Sequence, residues 1–510
     1  MGAGGASAVP RRALSPRRAL ALAALAGLAG AAGHVPVALP VLALPGLALT
    51  IWLVATAPDA RAALWRGWAA GCAYFAGTLF WIVEPFMVDL ARHGWMAPFA
   101  LVGMAGGMAM FWGAAAWIAH RLGTGQASRA LAMALTLTLA GILRAYVLTG
   151  FPWALPAYVW TETPVIQLTA YAGVHGVGLV TLLAVALPAA AGWSRRGGAA
   201  AGLALAVLGA AWAAGTVRLA ERAPATQTQV RLVQPNAAQH LKWRRDMIPV
   251  FFDRALDLTA APSDTPPDVV IWPETAMPWL LNGAEPAIEE MRAAAGAAPA
   301  LIFGAQRRSD AGYHNSLAVI AEGAAPSALY DKHHLVPFGE YLPFDSQLAK
   351  LGLYGIASRV GGGYVPGPGP ELLEIPGLGR VLPLICYEAV FPQDVFGAPD
   401  RPDVLVHITN DAWFGRVAGP YQHLAQSRVR AIEQGLPMLR AANTGVSAVI
   451  DAHGRVTAAL PLGEAGHLDA RLPGRLAPTP YSRWPDWPVL AVLLAGLAGL
   501  GARRRRAVLD

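Results

Sequence analysis

Long apolar stretches toward both ends of the chain constrain the fold more than any other feature. Hydrophobic residues make up 55% of the 510 residues and charged residues only 14%, whereas a soluble domain usually carries about 25% charged residues. A helix needs roughly 20 apolar residues to cross a bilayer. The sequence predicts a polytopic α-helical membrane domain with eight transmembrane helices, at 17–33, 36–57, 63–84, 95–120, 129–148, 164–192, 199–220 and 486–502.

Arginine clusters orient these helices. They precede the first helix, follow the eighth and lie in three of the connections, and all five share one side of the membrane if there are eight spans. Positively charged connections stay in the cytoplasm. We therefore expect a bacterial inner-membrane protein with both termini in the cytoplasm. The predicted parts are a seven-helix membrane domain over 1–220, a periplasmic domain over 221–485, and a last helix with an Arg-rich cytoplasmic tail over 486–510.

The segment between the last two helices has the pattern of an α/β domain. Short apolar strands alternate with helical patterns at 239–260, 286–296 and 421–435, which favours layers of helix and sheet. The predicted strands are 230–233, 268–272, 300–304, 316–320, 381–385, 404–408 and 446–450.

The net charge of +7 does not indicate a nucleic-acid partner. Many arginines lie beside apolar runs, and no basic stripe is interleaved with aromatic residues. There are two cysteines, of which Cys72 lies in an apolar segment and is expected to be a buried small hydrophobe. An unpaired Cys386 in a domain outside the cytoplasm is unusual unless it has a chemical role.

Three predicted strand ends carry reactive side chains. Glu274 follows a buried strand, Lys332 lies in a polar segment, and Cys386 ends a strongly apolar strand. Each alone also fits a bland interpretation, namely a solvated carboxylate, a charged surface loop and a buried inert thiol. Together they supply the proton acceptor, the cation and the nucleophile that acyl transfer through cysteine needs. The backbone N–H of Tyr387 is a candidate second donor to the oxyanion.

A zinc site is the alternative for the segment that contains His333 and His334. Adjacent histidines are awkwardly placed to ligate one metal, and no Cys or His cluster elsewhere in the sequence completes a ligand set. We therefore expect no metal and no cofactor.

The order of Glu274, Lys332 and Cys386, with their flanks, resembles the nitrilase, or carbon–nitrogen hydrolase, superfamily over about 228–470. A closer resemblance, which covers nearly the whole chain, is to the apolipoprotein N-acyltransferase family. The blocks that carry it are 148–153, 233–236, 330–343, 385–388, 410–415 and 442–445.

This resemblance implies an αββα sandwich on an eight-helix membrane base. It implies that the protein takes an acyl chain from a phospholipid, commonly phosphatidylethanolamine, and forms a thioester on cysteine. The acyl group then passes to the free α-amine of a diacylglyceryl-cysteine apolipoprotein. Matched by position, Glu274 is the base, Lys332 stabilises the oxyanion and Cys386 is the nucleophile.

Four further residues match positions of the family's site. Glu340 matches a glutamate that orients Lys332. Tyr387 and Glu388 match residues that support the nucleophile. Trp243 matches an aromatic residue that contacts substrate.

Two segments of the sequence raise separate expectations. Gly141 stands where the family pattern has a glutamate, so Arg144 is expected to lack its intramembrane partner. The apolar, glycine-jointed run 348–356 is interpreted as a mobile lid that dips into the lipid. Packing of this run on the domain is the alternative.

Two other functions fit parts of the sequence. A membrane-tethered amidase would use the same three residues with water as the acceptor, although eight spans exceed what a tether needs. An inert scaffold is disfavoured because Glu274, Lys332 and Cys386 are all present. A transporter is disfavoured because the charged residues of the spans cluster near their outer ends rather than deep within them.

Overall fold

The computed structural model describes residues 14–192, 195–321, 323, 325–343 and 363–509. The predicted lid at 348–356 lies outside the described residues. Helices of 16 residues or more occur at all eight predicted positions. They are Pro16–Ala31, Pro40–Ala55, Ala60–Thr78, Ala97–Leu122, Gln126–Tyr146, Thr169–Ala191, Arg195–Arg218 and Trp487–Leu509. Shorter helices are Phe80–Val83, Glu84–Met87, Leu90–His93, Gly94–Met96, Pro156–Trp160 and Pro164–Leu168.

Not all of these helices are long enough to cross a membrane unaided. Five of them are long and apolar enough to cross a membrane. A sixth span results if Ala60–Thr78 and Phe80–Met87, which are bent by 66° relative to each other, form one span. The first two helices have 16 residues each. At 1.5 Å per residue they are shorter than the roughly 30 Å hydrocarbon core. A helical membrane region with several apolar helices is therefore confirmed, and the number eight stays a prediction.

Small residues let the membrane helices approach closely. A Cβ atom added at Gly27 would lie 1.9 Å from the carbonyl oxygen of Ala70, and one added at Gly67 would lie 2.6 Å from the Cβ of Ala116. Such contacts replace the hydrophobic driving force that lipid cannot supply between helices.

Arg144 has partners, so the expectation that it lacks one is wrong. Its buried guanidinium donates to the carbonyls of Phe151 at 2.8 Å and Trp153 at 2.7 Å. The guanidinium carbon also lies 5.0 Å from the ring centroid of Phe75. Backbone carbonyls and an aromatic face thus take the place of the expected glutamate at Gly141.

The loop that follows the helix Gln126–Tyr146, to which Arg144 donates, contacts the α/β domain. The hydroxyl of Tyr387 donates to the carbonyl of Gly150 at 3.1 Å, and His334 Nε2 lies 2.7 Å from the carbonyl oxygen of Thr149. The membrane region and the predicted site are therefore joined by direct hydrogen bonds.

Two six-stranded sheets form the α/β domain. The strands are β1 Gln229–Gln234, β2 Val269–Ile271, β3 Ala300–Ser309, β4 Gly312–Ile320, β5 Ala328–Asp331, β6 Leu373–Ile375, β7 Gly379–Ile385, β8 Val404–Thr409, β9 Met438–Ala442, β10 Ser447–Ile450, β11 Val456–Leu460 and β12 Gly466–Arg471. The strand orders are β12-β1-β2-β3-β4-β5 and β11-β10-β9-β8-β7-β6. In the first sheet β1, β2 and β3 are parallel, and in the second β7, β8 and β9 are parallel.

Alternating side chains bury both faces of each sheet. In β1, Val230 and Leu232 join the core between the sheets, whereas Val233 joins the core under the outer helices. This period of two follows from the pleat of a strand. Helices cover the outer face of each sheet, which gives the implied αββα layering. They are Ile248–Ala260 and Glu285–Ala295 on the first sheet, and Pro392–Phe396 and Gly419–Gln434 on the second.

Candidate active site

Glu274, Lys332 and Cys386 converge where the two sheets end. Glu274 lies three residues after β2, Lys332 directly follows β5 and Cys386 directly follows β7. All three side chains are buried. Lys332 Nζ lies 3.7 Å from Glu274 Oε1.

A hydrogen-bonded chain connects two carboxylates around the lysine. Asn315 Nδ2 donates to Glu274 Oε1 at 2.7 Å and to Glu340 Oε1 at 2.9 Å. Lys332 Nζ lies 2.8 Å from Glu340 Oε2. The backbone N–H of Asn410 donates to Glu274 Oε2 at 2.8 Å. Both oxygens of Glu274 therefore accept hydrogen bonds, which fixes the orientation of this carboxylate.

The ammonium of Lys332 is held in its charged form. Burial alone would lower its pKa, but the carboxylates of Glu340 and Glu274 outweigh burial and raise the pKa above its usual value. A buried cation next to a thiol is the arrangement that favours a thiolate and an oxyanion.

Cys386 occupies a strained turn. Its φ of +51° is in the left-handed region, which non-glycine residues rarely adopt. The buried carboxylate of Glu388 stabilises this turn, because it accepts from the backbone N–H of Ile385 at 2.7 Å and of His333 at 2.9 Å, and from the hydroxyl of Tyr330 at 2.7 Å. Such strain persists only where the surroundings enforce it.

The thiol of Cys386 is protonated at neutral pH. Burial raises its pKa well above the usual value, the charge of Glu274 adds to this shift, and Lys332 opposes it. Attack by this sulfur therefore requires a base to remove the proton. The charges of Glu274 and Lys332 both act on this thiol.

Strand β3 lies very close to the backbone of the segment that carries Glu274. A Cβ atom added at Gly304 would lie 2.4 Å from the backbone nitrogen of Thr275 and 2.6 Å from the Cα of Glu274. Glycine at this position of β3 is therefore required for the close approach of the segment that carries Glu274.

Comparison with known proteins identifies the family. Residues 229–481 match the carbon–nitrogen hydrolase family, and residues 26–187 match the apolipoprotein N-acyltransferase N-terminal domain. The chain is 41% identical over 464 residues to the apolipoprotein N-acyltransferase of Caulobacter vibrioides, covering 88% of this chain and 86% of that protein. The chain belongs to the apolipoprotein N-acyltransferase family. The apolipoprotein N-acyltransferase of Brucella melitensis is 38% identical over 461 residues, covering 86% of each protein.

Two solved structures are similar to about half of this chain. A CN-hydrolase superfamily protein of Xanthomonas campestris is 22% identical, with a TM-score of 0.36, over 48% of this chain and 90% of that protein. An amidase from Nesterenkonia sp. is 18% identical, with a TM-score of 0.36, over 53% of this chain and 97% of that protein. Family membership and the apolar helices together indicate a bacterial inner-membrane acyltransferase.

The supporting residues named from the family's pattern occupy different parts of the site. Glu340 contacts Lys332 directly, and Tyr387 and Glu388 belong to the turn of Cys386. Trp243 is 42% exposed, and its ring lies 5.3 Å below the ammonium of the preceding lysine. A substrate contact through Trp243 stays a prediction.

Lys242 is a site residue that sequence reasoning missed. Its buried Nζ donates to Thr275 Oγ1 at 2.8 Å and to the carbonyl of Glu274 at 3.2 Å. Burial lowers the pKa of Lys242 to about 8, and Glu274 opposes this shift. The only sequence signal for Lys242 was its position next to Trp243, because it forms no pattern with residues nearby in sequence. The same holds for Asn315, which also contacts Glu274.

His333 and His334 form a cluster with Asp394 that could hold a metal ion. The cluster also has an internal explanation, since His334 Nδ1 lies 2.8 Å from Asp394 Oδ2 and His333 Nδ1 lies 2.7 Å from Glu388 Oε1. Burial alone would lower the pKa of His333, but hydrogen bonds to Asp394 and Glu388 raise it to about 10.

Proposed function

We propose that this protein transfers a fatty acyl chain from a phospholipid, with phosphatidylethanolamine as the expected donor, to the N-terminal amine of diacylglyceryl-cysteine apolipoproteins. Family membership supports this reaction. The observation that carries the mechanism is the buried contact of Lys332 with Glu274 and Glu340, next to the thiol of Cys386. The proposed mechanism is ping-pong, because donor and acceptor use one cysteine in turn.

The first half-reaction forms the acyl-enzyme. Glu274 removes the proton of Cys386, and the sulfur attacks the ester carbonyl of the phospholipid. The C–S bond forms, the ester C–O bond breaks, and Glu274 returns the proton to the departing lysophospholipid oxygen. The ammonium of Lys332 and the N–H of Tyr387 stabilise the negative oxygen of the tetrahedral intermediate.

The second half-reaction releases the acyl group. The α-amine of the acceptor attacks the thioester carbonyl, so that a C–N bond forms and the C–S bond breaks. Glu274 accepts a proton from the amine and passes it to the sulfur of Cys386, which restores the resting enzyme. Glu340 orients Lys332 throughout, and Glu388 maintains the turn of the nucleophile.

A membrane-tethered amidase is the alternative, and its products differ. Purified protein is incubated with phosphatidylethanolamine vesicles and a diacylglyceryl-cysteine peptide. We expect lysophospholipid and N-acylated peptide in equal amounts by mass spectrometry. Free fatty acid in place of the N-acylated peptide would support the hydrolase and contradict the proposed transferase.

We also propose the membrane topology that the charges predict, with eight spans, cytoplasmic termini and a periplasmic catalytic domain over 221–485. Exposed positions allow a direct test with single cysteines in a Cys72→Ser, Cys386→Ser background. In intact spheroplasts, Asp310→Cys should react with a membrane-impermeant maleimide, whereas Arg18→Cys and Arg503→Cys should react only after lysis. The reverse pattern would place the catalytic domain in the cytoplasm.

The raised pKa of Cys386 predicts how its reactivity depends on pH. In a Cys72→Ser variant, Cys386 is the only thiol. Because its pKa is above the usual value of about 8.5, the thiolate fraction is small at pH 7 and increases with pH beyond that value. The initial rate of alkylation by iodoacetamide should therefore still be rising at about pH 9.5. A plateau near the usual thiol value would contradict a protonated resting cysteine.

A further inference from the structure

We propose that His407 and His423 are positioning residues, which aim the backbone N–H of Tyr387 at the reacting carbonyl by holding the carbonyl oxygen of Cys386. This inference rests on the proposed acyl transfer through Cys386. It concerns residues of the second sheet and its outer helix that the mechanism has not used so far.

Both histidines contact the same atom. His407 Nε2 and His423 Nε2 each lie 3.1 Å from the carbonyl oxygen of Cys386. The first histidine belongs to β8 and the second to the helix Gly419–Gln434. Both side chains are fully buried. Two independent elements therefore converge on one peptide group.

The ring of His407 is fixed in the tautomer that donates to this carbonyl. Arg440 Nη1 lies 2.8 Å from His407 Nδ1, and a guanidinium can only donate. His407 Nδ1 is therefore the acceptor, and the ring proton is on Nε2, which faces Cys386. Burial, with the charge of Arg440, lowers the pKa of His407 far below its usual value, in agreement with this neutral ring.

His423 completes the arrangement through Asp411. Its Nδ1 lies 2.9 Å from Asp411 Oδ1, and Asp411 in turn pairs with Arg440. Burial alone would raise the pKa of Asp411, but Arg440 and His423 lower it to about 2. Burial lowers the pKa of His423, although the charge of Asp411 opposes this shift. The neutral ring has one N–H, which it donates either to Asp411 Oδ1 or to the carbonyl of Cys386.

The orientation of one peptide group connects these histidines to the chemistry. The peptide between Cys386 and Tyr387 is trans, and in a trans peptide the C=O and N–H bonds point in opposite directions. Imidazoles that hold the carbonyl on one side therefore direct the N–H of Tyr387 to the other side. They also oppose relaxation of the strained φ of Cys386.

The test separates oxyanion stabilisation from general packing. Acylation by a phospholipid ester passes through an oxyanion, whereas alkylation by iodoacetamide does not. In the Cys72→Ser background, both rates are measured on Cys386 by intact-protein mass spectrometry. His407→Leu should lower acylation by about 10²-fold, as loss of an oxyanion donor does, and leave alkylation nearly unchanged. His407→Gln, which retains an N–H donor, should recover most of the acylation rate.

His453 offers a matched control. It is a buried histidine that also faces an arginine, Arg455, at Nδ1 and a backbone carbonyl, that of Arg218, at Nε2. His453→Leu and His453→Gln should change the ratio of acylation to alkylation little. If His407→Leu does not fold, the ratio for His423→Gln is compared with that for His453→Gln and should be lower.

Two outcomes would overturn the positioning role. One is acylation and alkylation that fall in the same proportion, as expected for a packing defect. The other is acylation that does not change in the His407 and His423 variants. Absence of an acyl-enzyme in the parent protein would instead contradict the proposed function, so the two failures are distinguishable.

Discussion

Replacement of Cys386 by serine is expected to abolish acyl-enzyme formation. A serine hydroxyl is far less acidic than a thiol, and Glu274 would have to remove its proton in a buried site. Loss of a covalent nucleophile removes the whole thioester pathway, so turnover should fall by at least ~10³-fold. The measurement is the intact mass of the protein after exposure to phosphatidylethanolamine vesicles, together with N-acylated peptide formed per enzyme.

The second cysteine provides the control for this variant. Cys72 lies in the helix Ala60–Thr78 of the membrane region and is partly buried. Cys72→Ser should retain both the acyl-enzyme and turnover. Full turnover by Cys386→Ser would show that the thiol is not the nucleophile.

Replacement of Lys332 by arginine is expected to cost about 10²–10³-fold in the rate of acylation, the usual cost of one oxyanion-stabilising donor. The side chain of Lys332 is 1% exposed, and its ammonium lies between Glu274 and Glu340. A planar guanidinium is larger and directs its donors in a fixed fork. It would engage the two carboxylates but could not present a compact charge to the oxyanion. Single-turnover acylation of Cys386 measures the loss.

Lys242→Arg is the matched control for a buried lysine. Lys242 Nζ donates to a hydroxyl and a backbone carbonyl rather than to carboxylates. We expect a smaller loss of acylation from this change. An equal loss in both variants would indicate that the site tolerates no buried arginine, and would remove the specific role assigned to Lys332.

Glu274 and Cys386 were predictable because each closely or directly follows a predicted apolar strand, whereas Lys332 follows β5, a strand that was not predicted. All seven predicted strands exist, and Cys386 directly follows β7 as expected. The missed strands lacked that signal. Strand β9 carries the buried Arg440, and β11 and β12 expose much of their surface. The predicted helix at 239–260 begins only at Ile248, after a series of turns.

Contacts that form only in three dimensions could not be predicted. His407, His423 and Arg440 lie on three different elements and have no shared spacing. Arg144 was expected to need a glutamate, because a sequence shows side chains but not which backbone carbonyls a loop will present. The hydrogen bonds of Asn315 to Glu274 and Glu340 could not be predicted either, because Asn315 on β4 lies beside both carboxylates only in the folded sheet.

The most direct measurement of the central claim is the mass of the Cys386 peptide before and after each substrate. One sample of purified protein is exposed to phosphatidylethanolamine vesicles, digested and analysed. A second sample is exposed to the vesicles and then to a diacylglyceryl-cysteine peptide before it is digested. We predict one acyl chain on Cys386 after the vesicles, and its loss with matching N-acylated peptide after the acceptor. N-acylated peptide formed while the Cys386 peptide never gains acyl mass would contradict a thioester on this cysteine.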